Sequence, residues 1–346
     1  MPKQKAGGSL SRYLFVRFLL IFPTIFILVS MVFFIMRTIG DPITAALGGK
    51  LSDEELQIRI HQAGYDRPIL IQYFEYLGQV FTGNFGSTIT THQPIVSLLS
   101  TYGMATLELA FYAVLVALAV GIPLGMVAAN KRDSKTDAGL RLFAILAYAT
   151  PVFFVGLLLK LVFAVALPIL PVAGRATVST ELNLSLVENP TGIYLIDALR
   201  TGDAGMITDV LSHAVLPGLA LGLLTAGVFL RLVRTNMIST LNTEYVDAAR
   251  SRGVNEYRLI TKHAYRPALI PIITVIGMQI AVLLSGAVLT ETTFEWKGLG
   301  FQLAQYLNAR DYVAVQGIVA LLAVIVALTN FLVDVIAALV DPRVKF

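Results

Sequence analysis

Few residues of this 346-residue chain could carry out chemistry by themselves. There is no cysteine, so thiolate metal sites, cysteine nucleophiles and disulfides are excluded. Gly49-Lys50 is followed by Leu51 and lacks the upstream glycine of a phosphate loop. The sequence therefore predicts no metal site, no catalytic residue and no ATP hydrolysis by this chain. The four histidines show no metal-ligand spacing; they are His61, His92, His213 and His263.

The segment 231–266 carries the largest group of charged side chains that could bind a partner. Glu244 is typical of a helix start, because an acidic side chain in the first turn faces the positive end of the helix dipole. Gly253 fits the helix end, where a residue without Cβ adopts the left-handed conformation at low cost. Asn255 is typical of the cap of a second short helix that runs toward His263. The pattern predicts a helix–turn–helix, with an ordinary basic loop beside a membrane as the alternative.

Four charged residues stand inside long apolar runs: Arg17, Glu108, Lys160 and Asp334. Lys160 is the most deeply placed, and an ionisable group inside a membrane is a candidate functional residue by default. Two interpretations remain open. Lys160 lines a water-filled path, or its stem snorkels outward or pairs with Glu108 or a backbone carbonyl. Four scattered charges do not form the ordered carboxylate relay of a proton pump.

Composition indicates which elements must position these residues. Hydrophobic residues make up 56% of the chain and charged residues only 14%, and the mean hydropathy is +0.75. A soluble domain carries about 25% charged residues, so a soluble globular enzyme is excluded. Six segments have the roughly 20 apolar residues that a spanning helix needs. The sequence thus predicts an all-α membrane protein with six transmembrane helices. The six segments are approximately 14–36, 105–129, 142–167, 213–233, 271–290 and 313–338.

The distribution of Lys and Arg predicts the orientation. With the N-terminus in the cytoplasm and six alternating spans, the inside segments contain 16 Lys and Arg residues. The outside segments contain eight, over a greater total length. Both termini are therefore predicted to be cytoplasmic. The first apolar segment is longer than the apolar region of a signal peptide, and no A-x-A cleavage site follows it, so we interpret it as a retained helix.

The extracytoplasmic parts are predicted to contain short helices. Ser52 and Glu55 have the spacing of a capping box. From Pro68, apolar residues recur at helical spacing and predict an amphipathic helix at the outer interface. Residues 168–212 are predicted to form an outer cap, and 234–266 a cytoplasmic loop. The predicted divisions are 1–36 (N-terminus and first span), 37–104 (extracytoplasmic loop), 105–338 (five-span core) and 339–346 (cytoplasmic tail).

Residues 244–253, Glu-Tyr-Val-Asp-Ala-Ala-Arg-Ser-Arg-Gly, strongly resemble the EAA loop of ABC importer permeases, in the dipeptide, oligopeptide and nickel branch. Three departures from that branch are visible: Asn84 replaces an Asp, Lys297 replaces a Pro, and Pro267 comes one place late. The similarity extends over nearly the whole chain. Its further segments are Gly83–Ser87, Ala105–Ala110, Gly121–Gly125, Pro151–Gly156, Leu170–Arg175, His213–Pro217, Glu291–Gly300, Arg310–Tyr312 and Asp341–Arg343.

This resemblance implies the type I importer permease fold, with the EAA loop as a coupling helix that docks in a groove of an ATPase subunit. A short helix anchored at both ends can transmit a rigid-body push. Arginines on it would pair with acids on the ATPase, which gives orientation more than affinity. The residues that the resemblance assigns to this contact are Glu244, Tyr245, Asp247, Ala248, Ala249, Arg250, Arg252, Gly253 and Arg258.

The resemblance also implies transport of di- or oligopeptides by alternating access in the bacterial inner membrane, with no cofactor on this chain. Two ABC ATPase subunits would bind ATP and Mg²⁺. The other implied partners are a homologous permease, an extracytoplasmic solute-binding protein, membrane lipid and the peptide, but no nucleic acid. Hydrogen bonding between helices is the alternative role for polar residues of the fifth span. The candidates for the translocation path are Lys160, Gln279, Ser285 and Thr290.

Three other functions remain open. A permease of the same branch could import nickel or another small solute, although the spans lack the histidine or carboxylate clusters of a metal-coordinating channel. A gradient-driven secondary transporter predicts uptake that is lost when the ion gradient collapses. An ABC permease predicts ATPase stimulation by a loaded binding protein, and a non-transporting membrane scaffold predicts neither result.

Overall fold

The computed structural model describes residues 10–265 and 287–340, together with Ala268, Val275, Gln279 and Leu283. Residues 287–294 are helical, and π-helical turns continue α5, α8 and α13 through 99–103, 160–166 and 259–264. The helices with defined ends are α1 (Leu10–Ile39), α2 (Pro42–Leu47), α3 (Asp53–Gln62), α4 (Ile69–Phe81), α5 (Ile95–Leu98), α6 (Met104–Asn130), α7 (Lys135–Ala149), α8 (Val152–Leu159), α9 (Val178–Ser185), α10 (Tyr194–Thr201), α11 (Ala204–Leu241), α12 (Glu244–Ser251), α13 (Glu256–Arg258), α14 (Leu299–Asn308) and α15 (Tyr312–Val340).

Four described stretches are long and apolar enough to cross a membrane: Leu14–Ile39, Ile95–Asn130, Ala204–Leu241 and Tyr312–Val335. They coincide with the first, second, fourth and sixth spans that hydropathy predicts. The predicted all-helical membrane architecture is confirmed. The fifth predicted span, 271–290, lies largely outside the described residues.

The third predicted span, 142–167, differs from the continuous helix expected from hydropathy. Helices α7 and α8 meet there at an angle of 105°. Thr150 lies between them with ψ of 129°, because the residue before a proline is disfavoured in the helical conformation and Pro151 follows. Pro123 and Pro217, by contrast, lie inside α6 and α11 without ending them. Hydropathy alone therefore merges two helices into one segment.

Helices α6 and α11 pack closely at the centre of the fold, as the small-residue spacing along both helices predicts. A Cβ added at Gly121 would lie 2.7 Å from the Cβ of Phe229. One added at Gly222 would lie 2.6 Å from the Cβ of Val116. These distances are shorter than any carbon–carbon contact allows, so glycine is needed where the two backbones approach.

The first and last spans are neighbours, because α1 packs along α15. Arg17 forms an ion pair with Asp334, with 3.3 Å between Nη1 and Oδ2. Two of the four charges inside the predicted spans thus pair with each other.

Residues 37–104 and 168–212 contain short helices. Ser52 and Glu55 form a reciprocal capping box at the start of α3. Helix α4 exposes large apolar side chains, including Leu70 and Phe74. The outer cap has its own small core, in which Leu184 of α9 packs with Ala198 of α10 and with the start of α11.

Candidate functional site

The segment with the EAA-like sequence folds as a helix–turn–helix. Helix α12 ends in two backbone hydrogen bonds, from Gly253 N to the Arg250 carbonyl (3.0 Å) and from Val254 N to the Ala249 carbonyl (3.3 Å). Gly253 has φ of +78°, the left-handed conformation that closes such a helix end. Asn255 Oδ1 then accepts a bond of 2.9 Å from Tyr257 N and starts α13. The local structure thus follows the pattern predicted from the residues.

The underside of this helix–turn–helix is anchored in the apolar core. Val246 of α12 and Leu259, just after α13, are fully buried. Ile260 packs in the cluster that contains Phe229 and Val233 of α11. Burial at three points fixes both arms against the end of α11. The two short helices are therefore held as one body rather than as a free loop.

An arginine braces the two arms against each other. Arg250 donates to Asp247 within α12 and to Glu256 of α13, both at 2.7 Å. The carboxylate of Glu256, and then that of Asp247, raise the pKa of the Arg250 guanidinium above its usual value. The sequence assigned Arg250 to acids on a partner. In this structure its hydrogen bonds are made within the helix–turn–helix.

The remaining predicted contact residues form the outward surface of the element. Tyr245 is 47% exposed, and Tyr257, which the sequence analysis did not single out, is 76% exposed. Ala249 is only partly exposed. An open face with small side chains between two tyrosines suits a protein contact better than a solvated loop. The exposed members of the predicted set are Glu244, Tyr245, Asp247, Ala248, Arg250, Arg252, Gly253 and Arg258.

A second charged contact fixes α7 to α11 beside this element. Arg234 of α11 donates to both oxygens of Asp137, at 2.6 and 2.7 Å. The Asp137 side chain is fully buried, and Arg141 lies 3.6 Å from it. The bidentate geometry is the strong form of this pair. The sequence analysis counted these residues only as part of the inside charge and did not pair them.

Of the residues predicted for the translocation path, Lys160 has a defined contact. Its Nζ donates to the Thr293 carbonyl at 2.8 Å and lies 5.5 Å from the ring centroid of Phe294. Of the two interpretations, the structure thus displays the pairing with a backbone carbonyl and not with Glu108. Thr290 is fully buried, and its hydroxyl has no hydrogen-bond partner among the described residues.

Gln279 and Ser285 complete the predicted path residues. Gln279 is helical and partly buried. Ser285 lies outside the described residues. The structure therefore brings Lys160 close to the helical residues 287–294, which include the end of the fifth predicted span.

Glu108 is instead the centre of a buried network that joins α6 to the outer cap. It forms an ion pair with Arg175, and the two side chains are 1% and 5% exposed. Its oxygens also accept from Leu195 N (2.9 Å), at the start of α10, and from the hydroxyl of Tyr112 (3.2 Å). The Arg175 guanidinium stacks 3.6 Å from the ring centroid of Tyr194. The sequence placed Glu108 and Arg175 in separate motifs, and nothing in their spacing pairs them.

A related network holds the segment after the fifth span. Glu291 is fully buried and accepts from Thr106 Oγ1 (2.7 Å) and from Phe301 N (2.8 Å). Trp296 donates from Nε1 to the Ala105 carbonyl at 2.8 Å. Residues 291–300, which carry one of the family-like motifs, are therefore fixed to the outer end of α6. Within the described residues, no group of three or more histidine, aspartate or glutamate side chains could hold a metal ion.

Comparison with known proteins identifies the family to which this chain belongs. The family described as "Binding-protein-dependent transport system inner membrane component" matches residues 121–346, and its N-terminal companion matches residues 10–101. The chain belongs to this family of transport permeases. Its helix–turn–helix, Arg175 and Glu291 fall within the second matched region, and Glu108 lies between the two.

Curated relatives of the permease have nearly the same length. The "Di/tripeptide transport system permease protein DppB" of Pseudomonas aeruginosa is 37% identical over 328 residues, which cover 94% of this chain and 96% of the relative. The "Dipeptide transport system permease protein DppB" of Escherichia coli K12 is 37% identical over 329 residues, with the same shares covered. That of Haemophilus influenzae is 36% identical over 336 residues, 96% of this chain and 99% of the relative.

Solved structures show the fold of the permease. A chain of the inward-facing MetNI methionine ABC transporter aligns with a TM-score of 0.51 at 16% identity, over 71% of this chain and 97% of that one. A second crystal form aligns with a TM-score of 0.52 at 15% identity. The predicted importer permease fold is confirmed, and this likeness is evidence of the fold alone.

Proposed function

We propose that this permease is one of two homologous membrane subunits of an ATP-driven importer of di- and oligopeptides. Identity of 37% with dipeptide permeases over 94% of the chain carries this proposal. The permease lies in the bacterial inner membrane with both termini in the cytoplasm. A solute-binding protein delivers the peptide from outside, and two ABC ATPase subunits bind ATP and Mg²⁺ on the inside. The path lies at the interface with the partner permease.

The helix–turn–helix 243–264 is the docking element for the ATPase in this proposal. Its underside is held to α11, its arms are braced by Arg250, and its outward face offers Tyr245, Ala248 and Tyr257. A braced element moves as one body when the ATPase subunits close. The movement of the ATPase subunits is therefore transmitted to the spans and does not merely bend the turn.

The outward arginines orient the docked complex. Arg252 and Arg258 are exposed, and acids on the ATPase are their partners. Arg250 contributes by holding Asp247 and Glu256 together, which preorganises the surface before docking. Arg252 and Arg258 thus bind the ATPase, whereas Arg250 keeps the element rigid.

Alternating access then follows from movement of the bundle around the peptide path. Lys160, Gln279, Ser285 and Thr290 remain the proposed polar residues of that path. The contact of Lys160 with the Thr293 carbonyl leaves the positive charge without a counter-charge in that contact. A peptide carboxylate would be attracted to such a group, while the binding protein selects the peptide.

Reconstitution of the complete importer in liposomes tests the proposal. Loaded binding protein should stimulate ATP hydrolysis, and a labelled dipeptide should accumulate inside even when ionophores collapse the proton and sodium gradients. A Walker-lysine variant of the ATPase subunits is the matched control and should abolish both signals. Uptake that stops when the gradients collapse while ATP is present would show a secondary transporter instead.

A further inference from the structure

A small polar cavity lies at the outer end of α1, apart from the helix–turn–helix and from the Glu108 network. Its volume is about 100 Å³. Its polar walls are formed by Arg37 of α1, by Gln316 of α15 and by four residues of α4, Gln72, Glu75, Tyr76 and Gln79. The cavity is built from one chain and joins the N-terminal region to the last span. It takes part in none of the contacts described so far.

Two nitrogens of the cation in this cavity lack partners. The Nε and Nη1 atoms of Arg37 are buried and have no hydrogen-bond partner among the described residues. The guanidinium carbon lies 4.5 Å from the ring centroid of Tyr65 and 5.1 Å from that of Phe33. The Tyr65 side chain also hydrogen-bonds to the guanidinium. Arg37 is therefore held in place with two donors unused.

The acidic residues of this region already have partners of their own. The Asp41 carboxylate caps α2. Glu75 accepts from Arg67 at 2.6 Å. Asp311 accepts from the backbone N–H groups of Thr90 and Ala314, at 2.8 and 3.0 Å. Buried guanidinium donors that the surrounding acids do not pair are costly, so an external anion is the group that this site lacks.

Gln72 and Tyr76 of α4 place further polar atoms in the wall of the cavity. Gln72 is only 8% exposed, and its Nε2 donates to the carbonyls of Tyr65 (3.0 Å) and Arg67 (2.7 Å). Those bonds fix the amide, and its Oε1 is left as a buried acceptor without a partner among the described residues. The hydroxyl of Tyr76 is buried as well, beside the Gln316 side chain, and makes no hydrogen bond of ordinary geometry among the described residues. Burial raises the pKa of Tyr76 to about 12, so the hydroxyl stays protonated and can donate.

We propose that this cavity binds a carboxylate group. The carboxylate oxygens accept from Arg37 and from the Tyr76 hydroxyl, and an N–H group next to the carboxylate donates to Gln72 Oε1. The volume admits the tip of a ligand and not a whole folded segment. Two sources have this chemistry: the C-terminal end of a free peptide, and an aspartate or glutamate of the solute-binding protein. The second source rests on the proposed function, and the first does not.

Thermal unfolding of the purified, detergent-solubilised importer tests the site without any transport step. The unfolding temperature is compared in sodium acetate and in sodium chloride of equal concentration. Acetate should raise it by about 2 °C, because a ligand that binds only the folded state stabilises it. Arg37→Gln should abolish this shift, and Tyr76→Phe, which keeps the ring, should reduce it. Arg59→Gln, which removes an exposed arginine of α3, should keep it.

Two further measurements separate the sources. If the ligand is a free chain end, glycylglycine should produce the shift and its C-terminal amide should not. If the ligand is a side chain of the binding protein, half-maximal ATPase stimulation in Arg37→Gln should need about ten times more binding protein. That factor corresponds to the loss of one hydrogen bond to a charged group.

Failure of that stimulation in the wild type would count against the proposed function alone. An acetate shift that is absent from the wild type, or equal in Arg37→Gln, would show that the cavity holds only water and would overturn the proposal.

Discussion

The buried pair beneath the outer cap and the helix–turn–helix use charged residues in opposite ways. Beneath the outer cap, Glu108 and Arg175 are nearly fully buried, and Glu108 accepts several hydrogen bonds. In the helix–turn–helix, Arg250 and its two carboxylates are about half exposed. Buried pairs fix the relative position of segments, because an unpaired member is so costly. Exposed pairs cost little to break, so they suit a surface that must bind and release a partner.

The largest expected effect comes from breaking the buried pair. Glu108→Gln leaves Arg175 buried without its counter-ion and should lower the free energy of unfolding by about 3–5 kcal/mol. The double variant Glu108→Gln, Arg175→Met removes both charges and should recover much of that loss. Unfolding of the purified complex in a denaturant series measures both. Equal destabilisation by the single and double variants would show that the ion pair is not what holds the outer cap to α6.

Close helix packing should give the next largest effect. Gly222→Ala places a Cβ 2.6 Å from Val116 Cβ and should destabilise the bundle by about 1–3 kcal/mol through overpacking. Gly139→Ala is the matched control, because Gly139 of α7 is exposed and a Cβ there meets open space. That change should be neutral or stabilising by up to about 1 kcal/mol. The same denaturant series compares the two, and similar losses would mean that close contact between α6 and α11 is not required.

The turn of the helix–turn–helix should show a functional effect with little loss of stability. Gly253→Val puts a β-branched residue into the left-handed conformation, which costs about 1–2 kcal/mol and favours a different angle between the arms. Gly253→Asn is the control, because asparagine adopts this conformation readily. Binding-protein-stimulated ATPase activity should fall about tenfold in the valine variant and stay near wild type in the asparagine variant. Normal stimulation in both would contradict a coupling role for the turn.

The smallest effect on stability is expected at Arg250. Because its pairs are exposed, Arg250→Gln should leave the unfolding temperature nearly unchanged. It should instead increase the ATPase concentration needed to assemble the complex, since the two arms are no longer held together before docking. Arg252→Gln removes an outward arginine without touching the brace and should weaken assembly at low salt and reduce its salt dependence. A large loss of stability in Arg250→Gln would contradict the contrast between the two regions.

Features set by neighbouring residues were predictable from the sequence, and those set by distant pairing were not. Gly253, Asn255 and the capping box of Ser52 form because each residue has a local conformational or hydrogen-bonding preference. The break at Thr150-Pro151 was also encoded locally, but the hydropathy of the segment concealed it. Hydropathy reports which residues enter the membrane and carries no information on where the backbone turns.

The contacts of the buried charges depend on the folded chain. Arg175 reaches Glu108 across 67 positions of sequence, and the partner of Lys160 is a backbone carbonyl 133 positions away. A carbonyl is present at every residue, so no residue type marks it. The contact of Arg250 with Glu256 was not predicted, because Glu256 lies beyond the turn and comes close only when Gly253 folds the chain back.

Helix α11 has 38 residues and runs unbroken from the outer cap to the helix–turn–helix. At 1.5 Å per residue its length is about 57 Å, more than the thickness of a bilayer with its headgroups. Such a helix acts as a lever that connects the two sides of the membrane directly. A tilt of about 10° would displace one end relative to the other by about 10 Å, a simple projection of that length. Movement of the helix–turn–helix would therefore displace the outer cap without a relay of side chains between them.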